Sequence, residues 1–418
     1  MAHLPLHLSM AHLPFDLLVV AIGFVAVALL LVDPLLVALL AIPGVLLVQR
    51  VGGASLSISV CDVLTVAGTL AALPLLRADM RVTRRLLWID VMFQAVLLLV
   101  VVAHPNQKSI FEWWHRFFLV GGCITIGAVL GRARRANAAV VAFLVLTSAL
   151  AVASVATSLA HGFAPAYPFQ YQKNTVGAMT GSAVLLCVLR PTWLRLTRGQ
   201  FVSITVVCAA GLLASQSRGA MLALAAAVFV AAVRQGRLSR RSIVAVLVVA
   251  PLLIFAVVSL QHEASSHAQF NSLTYRVDYS ALAFREWHLS PVFGQGLRFF
   301  KQPGALLNTD AHDVIATTLA EGGIVGLVAL ALLIGGSMMA LWRLPAQAAS
   351  IGLAFLVGRF VHGLFDIYWV AGPTTLPWLI VGIVCGSADA DAADQHVTAE
   401  SRQRSPSGRR TIASNRST

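Results

Sequence analysis

Apolar runs of about 20 residues recur along the whole chain, separated by short polar breaks, and each is long enough to cross a bilayer as a helix. The breaks place spans near 58–76, 86–103, 115–131, 137–160, 174–190, 201–215, 219–233, 243–260, 314–341, 347–364 and 373–386. Asp33-Pro34 divides the stretch 15–49, which reads either as two tight spans or as one span plus a re-entrant piece. The expected total is therefore about 12 or 13. Backbone groups in lipid must be satisfied within their own segment, so the spans should be helices. Glycine and alanine inside them allow close helix packing. The fold class expected is an all-α integral membrane protein.

Charge fixes the orientation. Arg77, Arg81, Arg84 and Arg85 occupy one loop, and Arg132, Arg134 and Arg135 the next of the same parity. Arg190, Arg195 and Arg198 follow, then Arg234, Arg237, Arg240 and Arg241, and finally Arg343 with the arginine-rich tail. All fall on one side when spans alternate, and by the positive-inside rule that side is the cytoplasm. Only 11% of the 418 residues are charged against 58% hydrophobic, whereas a soluble domain carries roughly 25% charged residues. The net charge of +13 is thus a topology signal facing a lipid bilayer and not a nucleic-acid footprint. The five cysteines lie in apolar stretches without paired spacing, so neither a disulfide framework nor a zinc site is expected. The segment Met1 to Asp16 lacks Lys and Arg and does not read as a cleaved signal peptide.

The expected organisation is a polytopic domain over 1–386 and a disordered, polar cytoplasmic tail over 387–418. The outer loops are then His104–Trp114, His161–Lys173, the turn Gln216–Gly219, a long loop over 261–311 and the stretch near Gly363–Pro373. The long loop is the large segment outside the membrane, and long ordered loops usually carry function.

The candidate chemistry crowds these outer ends. Arg218 sits in a hairpin turn, on the side where arginine is uncommon; a snorkelling interfacial arginine is the plainer alternative. The long loop carries Arg276, Arg285, Glu286, Arg298 and Lys301 before Asn308-Thr309-Asp310-Ala311-His312-Asp313. Thr309 or Asp310 reads as an N-cap, which would put His312 in the first turn of the next helix. There, with arginines from other loops, it would form a site for an anion such as a diphosphate. Arg359, His362 and Asp366, spaced three and four apart, share one helix face and could equally be an internal ion pair. Lys173-Asn174 adds a cation and an amide at another outer mouth. No phosphate-loop motif and no metal-ligand pattern appear.

These residues resemble the O-antigen ligase and polymerase superfamily of bacterial membrane proteins. Four pieces carry the resemblance in the family's order: Lys173-Asn174-Thr175-Val176-Gly177, Ser215-Gln216-Ser217-Arg218-Gly219-Ala220, Arg276 with Pro291-Val292-Phe293-Gly294-Gln295-Gly296, and Ala311-His312-Asp313 running into Leu319 to Gly326 with its Glu321-Gly322-Gly323. A late His362-x-x-x-Asp366-x-Tyr368-Trp369 is also similar. The likeness spans residues 170–385, and the preceding part matches in hydropathy alone. It implies a GT-C-like arrangement and a metal-independent glycosyl transfer that needs no cofactor. The donor would be an undecaprenyl-diphosphate-linked glycan and the acceptor lipid A core, or a second lipid-linked glycan if the chain is a polymerase. It further implies that Arg218 and Arg276 hold the diphosphate and that His312 contacts it or deprotonates the acceptor. Lys173, Asn174, Arg285, Asp313, Arg359, His362 and Asp366 would then line the substrate. Asp313 stands where the family usually has asparagine, and a carboxylate cannot donate a hydrogen bond as an amide does. Asp278, Glu286, Asp310 and Asp313 are equally placed as alternative bases. The resemblance also implies an inner-membrane protein with its site facing the periplasm. A transporter or flippase is the rival reading, and it would need charges near mid-membrane, for which Asp62 and Asp90 are candidates. A non-catalytic scaffold of polysaccharide assembly is a third.

Overall fold

The computed structural model describes residues 32–51, 58–236, 272–302 and 310–404. The chain is a multi-pass helical membrane protein. The described helices are α1 (Pro34–Gly44), α2 (Val60–Ala72), α3 (Arg81–Ala103), α4 (Gln107–Phe117), α5 (Cys123–Arg132), α6 (Ala136–Ala160), α7 (Lys173–Leu189), α8 (Arg198–Ser215), α9 (Arg218–Arg234), α10 (Ser272–Leu289), α11 (Val314–Trp342), α12 (Ala346–Gly363) and α13 (Thr375–Arg404). Among the described residues, six stretches are long and apolar enough to cross a membrane: Arg81–Ala103, Gln107–Arg132, Ala136–Ala160, Arg198–Ser215, Val314–Trp342 and Thr375–Gln395. Pro34–Gly44, Val60–Leu75 and Lys173–Leu189 are shorter apolar helices. The expected span 243–260 and the first half of 15–49 lie outside the described residues.

Among the described residues, two-residue strands, Arg50–Val51 and Ile58–Ser59, pair antiparallel as a minor element of an otherwise all-helical chain. Three expectations change. His104–Trp114 is not an outer loop. Asn106 caps a helix there by accepting from the Ser109 amide at 2.9 Å, and α4 runs through one π turn (Phe118–Gly122) into α5. Its charges mimic a loop in the sequence, yet they fold inward because they pair with one another. The long loop contains α10. Finally, α13 carries the chain helically to Arg404, through the first half of the tail expected to be disordered; the tail's remainder lies outside the described residues. Asp389, on that extension, accepts from the Val82 and Thr83 amides and from the Thr83 hydroxyl, which fastens the helix to the start of α3.

Packing in the middle of the bundle depends on absent side chains. A Cβ on Gly127 would lie 2.1 Å from the Leu379 carbonyl oxygen, and one on Gly382 2.4 Å from that of Ile124. Gly131 and Gly386 are equally tight, against Ile383 and Ala128. Helices α5 and α13 therefore touch backbone to backbone, the close approach that small residues permit where no hydrophobic effect drives helices together. Leu99, Val102, Val145 and Val152 point outward from α3 and α6, as lipid-facing positions should.

The arginine loops do gather on one end of the bundle. Arg132 bonds Asp79 at 2.5 Å, and Arg134 pairs with Asp391 and Asp394 at 3.2 and 2.6 Å. The Arg195 amide donates to Asn137, and Arg234 donates to the carbonyls of Trp342 and Leu344.

Gly382→Val should drive a branched side chain into the Ile124 carbonyl. We expect it to cost about 1–3 kcal/mol or more, in line with overpacked cores, and to lower the thermal unfolding midpoint measured in detergent.

Candidate functional site

The opposite end of the bundle assembles the motifs. Asn174, in the first turn of α7, donates from Nδ2 to Asp366 Oδ1 at 3.0 Å and accepts from the Ser217 hydroxyl at 3.1 Å. Ser217 is also the N-cap of α9, accepting from the Ala220 amide at 3.4 Å. Arg218 is therefore fixed as the first residue of α9 by a capped turn tied to α7. Gly219 is needed because a Cβ there would lie 2.9 Å from the Phe365 Cβ, and Gly177 because one would lie 2.6 Å from that of Ser217. The turn, the mouth of α7 and the chain after α12 are thus brought into contact.

Arg276, on α10, completes a cluster. Lys173, Arg218 and Arg276 are half-buried and within electrostatic range of one another: Lys173 feels both arginines, and Arg218 feels Arg276. Like charges held this close favour an anion between them.

His312 faces the same space. Its ring stacks on Tyr279 with centroids 6.2 Å apart and planes 13° apart. It lies within range of Asp366, Arg276 and Asp310. Nδ1 is buried with no hydrogen-bond partner among the described residues. Burial holds its pKa below the ordinary 6.5; Asp366 and Asp310 oppose that shift and Arg276 reinforces it. The imidazole is accordingly neutral at pH 7.

The helix expected to begin at Ala311 begins at Val314, and its N-cap is Asp313. The Asp313 carboxylate accepts from the Ile315 and Ala316 amides at 2.8 and 3.4 Å. His312 stands before the cap, and the amides expected to receive an anion are already occupied by this side chain. The reason is local: the Asp313 carboxylate reaches two amides of the first turn at once and satisfies both.

The other expected residues sort by position. Arg359 is buried and donates to Thr374, to the carbonyls of Ile367 and Tyr368, and to His362 Nδ1 at 2.9 Å. It also lies over the Tyr368 ring, 4.6 Å from the centroid. Its main work is holding the chain between α12 and α13. Asp366 is not on the helix face expected for it, because α12 ends at Gly363; it reaches the site from the following turn. Arg285 is exposed, and among the described residues no contact joins it to the cluster. Asp310 pairs with Lys301 at 2.9 Å, and Asp278 is exposed.

A second assembly lies beside the first, and Glu112, His115 and Arg116 at its centre escape sequence reasoning. Arg116 bonds Glu112 at 2.9 Å and Glu321 at 2.5 Å, all three being about 2% exposed. Arg298 also reaches Glu112, at 2.9 Å, and His115 bridges Glu112 and Asp62 at 3.3 and 3.1 Å. Arg116 sits 4.7 Å from the centroid of Trp369. Asp62, one of the two candidate transport charges, is thus engaged in this network and in the cap of α2, and Asp90 accepts from the Gln94 amide at 3.4 Å. The legible signal was the spacing of Glu112, His115 and Arg116 at three and four residues, a helical pattern inside a segment dense enough in charge to resemble a loop.

The glycine motifs acquire a structural meaning here. Gly323 interrupts α11 with φ 60° and ψ −153°, a conformation that excludes a side chain. The break frees backbone groups, and the Pro291–Gly296 loop satisfies them. Gln295 and Gly296 amides donate to the Ala320 and Glu321 carbonyls at 2.8 and 2.9 Å, while Ile324 and Val325 amides donate to the Pro291 and Val292 carbonyls at 2.9 and 3.1 Å. A Cβ on Gly294, itself at positive φ, would lie 2.4 Å from the Glu321 carbonyl carbon. Loop and broken helix are two halves of one element.

Comparison with known families matches residues 203–331 to the O-antigen ligase family. No curated protein matches the chain.

Arg116→Met removes the cation between two buried carboxylates while keeping its bulk. We expect a loss of about 3–5 kcal/mol, the range for breaking a buried ion pair, read as a lowered unfolding midpoint in detergent.

Proposed function

We propose that this chain, whose residues 203–331 match the O-antigen ligase family, transfers a glycan from undecaprenyl diphosphate to an acceptor hydroxyl at the outer face of the bacterial inner membrane. In this reading lipid A core is the acceptor. The observation that carries it is the cluster of Lys173, Arg218 and Arg276, the last of them within range of a half-buried, neutral His312.

The chemistry follows from that arrangement. The acceptor oxygen attacks the anomeric carbon, and the bond from that carbon to the diphosphate oxygen breaks. The electron pair leaves on the diphosphate, whose growing charge the three cations stabilise. Preorganised cations of this kind contribute most where water is excluded. The proton of the acceptor hydroxyl passes to a ring nitrogen of His312, which is neutral and able to accept it. Asn174 and Asp366 hold the turn that carries Arg218, and Asp313 sets the start of α11 so that His312 projects from the loop before it. Positive charge takes the part a metal would play, so EDTA should not lower the rate. The neighbourhood of 12 spans, the GT-C-like arrangement and the outward-facing site belong to this same reading, supported by the gathering of the arginine loops at the far end.

Purified protein supplied with undecaprenyl-diphosphate glycan tests it, with lipid A core and a second lipid-linked glycan as separate acceptors and EDTA present. Transfer to lipid A core is the expected result. Extension of the lipid-linked chain instead would make the protein a polymerase using the same site. His312→Ala should lower kcat by about 10²–10⁴ and Arg276→Ala by about 10²–10³. Undiminished transfer by both variants would remove this site from the reaction.

The pH profile supplies a second check. Neutral His312 is the active form, so the rate should fall as pH drops through a value below 6.5. Asp366 opposes the downward shift, so Asp366→Asn should move that acid limb to still lower pH. A limb that moves upward, or does not move, would show that another group is titrating.

A further inference from the structure

The arginine-loop end of the bundle holds two cavities that the chemistry at the opposite end does not use. One, of about 490 Å3, lies between the chain after α2, the end of α5 and α13. The other, of about 440 Å3, lies where the turn from α5 to α6 meets the loop before α8 and the same α13. Both fall within the range of about 300–1,000 Å3 usual for small-molecule sites. Arg134 and Ala390 line both, so the two cavities adjoin at one arginine. Leu35 and Leu39, one turn apart on α1, line the first and the second.

Each cavity has an apolar and a cationic side. Leu35, Leu75 and Val129 give the first its apolar wall, and Leu39 and Trp193 give the second its own. The cations are Arg77, Arg132 and Arg134 in the first, and Arg134, Arg135 and Arg195 in the second. Most of them already have acid partners. Arg132 bonds Asp79, Arg134 bonds Asp391 and Asp394, and Arg135 bonds Asp33 at 2.6 Å. Arg77 and Arg195 are exposed and form no ion pair among the described residues. Each cavity thus keeps one uncommitted arginine beside the shared one. A topology signal needs positive charge on this face but no cavity. A soluble anion would use the arginines and leave the apolar walls wet. Tryptophan is enriched at the depth of lipid headgroups, and Trp193 stands in the wall of the second cavity.

We propose that the two cavities together bind one anionic phospholipid with two phosphates, a diphosphatidylglycerol, one phosphate in each. Arg77 holds one phosphate, Arg195 holds the other, and Arg134 serves the junction. The first carbons of the acyl chains lie along Leu35, Leu39, Leu75 and Val129. Adjoining cavities with one uncommitted cation apiece match a headgroup whose two charges are joined by a short bridge. A lipid with one phosphate would fill one cavity and leave the other arginine bare. Basic pockets between helices on the cytoplasmic side are suited to such headgroups. The bound lipid fastens α1, α5, α13 and the loop before α8 to one another. On the orientation proposed above it comes from the cytoplasmic leaflet, and the assignment does not depend on the enzyme reading.

Lipid retention tests the proposal without any measurement of transfer. The purified full chain, stripped of lipid in detergent, is titrated with cardiolipin, phosphatidylglycerol, phosphatidylcholine or glycerol 3-phosphate at equal phosphate. Native mass spectrometry reads the bound species, and thermal unfolding reads their effect. Cardiolipin should be retained as a single molecule and raise the unfolding midpoint. Phosphatidylglycerol should bind more weakly, and phosphatidylcholine and glycerol 3-phosphate should not bind. Replacing both uncommitted arginines, Arg77→Gln with Arg195→Gln, breaks no ion pair among the described residues, so the lipid-free midpoint should stay where it is. Cardiolipin binding should weaken roughly 25-fold, from about fivefold for each arginine. Arg81→Gln with Arg85→Gln removes the same charge from the same end, outside both cavities, and should leave binding unchanged. Equal losses in the two double variants would reduce the effect to surface charge and overturn the site. Undiminished binding after loss of Arg77 and Arg195 would overturn it as well. Phosphatidylglycerol binding as tightly as cardiolipin would reject the two-phosphate occupant, and protection by glycerol 3-phosphate would reassign the cavities to a soluble anion.

Discussion

Arg116 is the cation on which the site-bearing end of this bundle is organised. It is buried between Glu112 from its own helix and Glu321 from α11. An isolated charge in such a place would cost several kcal/mol, so the geometry persists only while all the partners are present. Each partner carries something else with it. Glu112 holds Arg298 from the loop after α10, His115 reaches Asp62 at the start of α2, and Trp369 covers the guanidinium from the chain before α13. Four separate parts of the sequence are located by one requirement, that no charge be left alone away from water.

The broken helix obeys the same rule for backbone groups. Lipid offers no hydrogen bonds, so irregular chain at membrane depth survives only where protein supplies them. Gly323 opens α11 beside Glu321, and the Pro291–Gly296 loop fills the break with four hydrogen bonds. That loop leads directly to Arg298, and the ion network and the loop seat therefore reinforce each other. The elements that carry Arg276 and His312 lie on either side of this junction. The cation cluster is held in position by a scaffold of buried salt bridges and glycine contacts that take no part in the chemistry. On the other side of the site, Asn174 makes an equivalent junction by joining Asp366 to the Ser217 cap.

Hydrophobic periodicity alone located nearly every described helix, because the length of an apolar run and the need to satisfy its backbone in lipid leave few alternatives. It also grouped the arginine loops at one end, since each loop's parity follows from counting spans. Lys173, Asn174, Arg218, Arg276, His312 and Asp366 were legible as chemistry out of place at the outer mouths, and the fold brings them together. The sequence could not show that Glu112, His115 and Arg116 form a buried helix. Charge reads as loop until partners from α2, α11 and the loop after α10 are supplied, and those partners are far away along the chain. Nor could it show that Asp313, and not Thr309 or Asp310, caps α11, because capping depends on which backbone amides are left free. The roles of Arg359 and His362 were decided by tertiary structure as well. Spacing put them on one face of a helix, but only packing reveals that Arg359 is spent on carbonyls and that its remaining contact, with Nδ1, fixes the proton of His362 on Nε2.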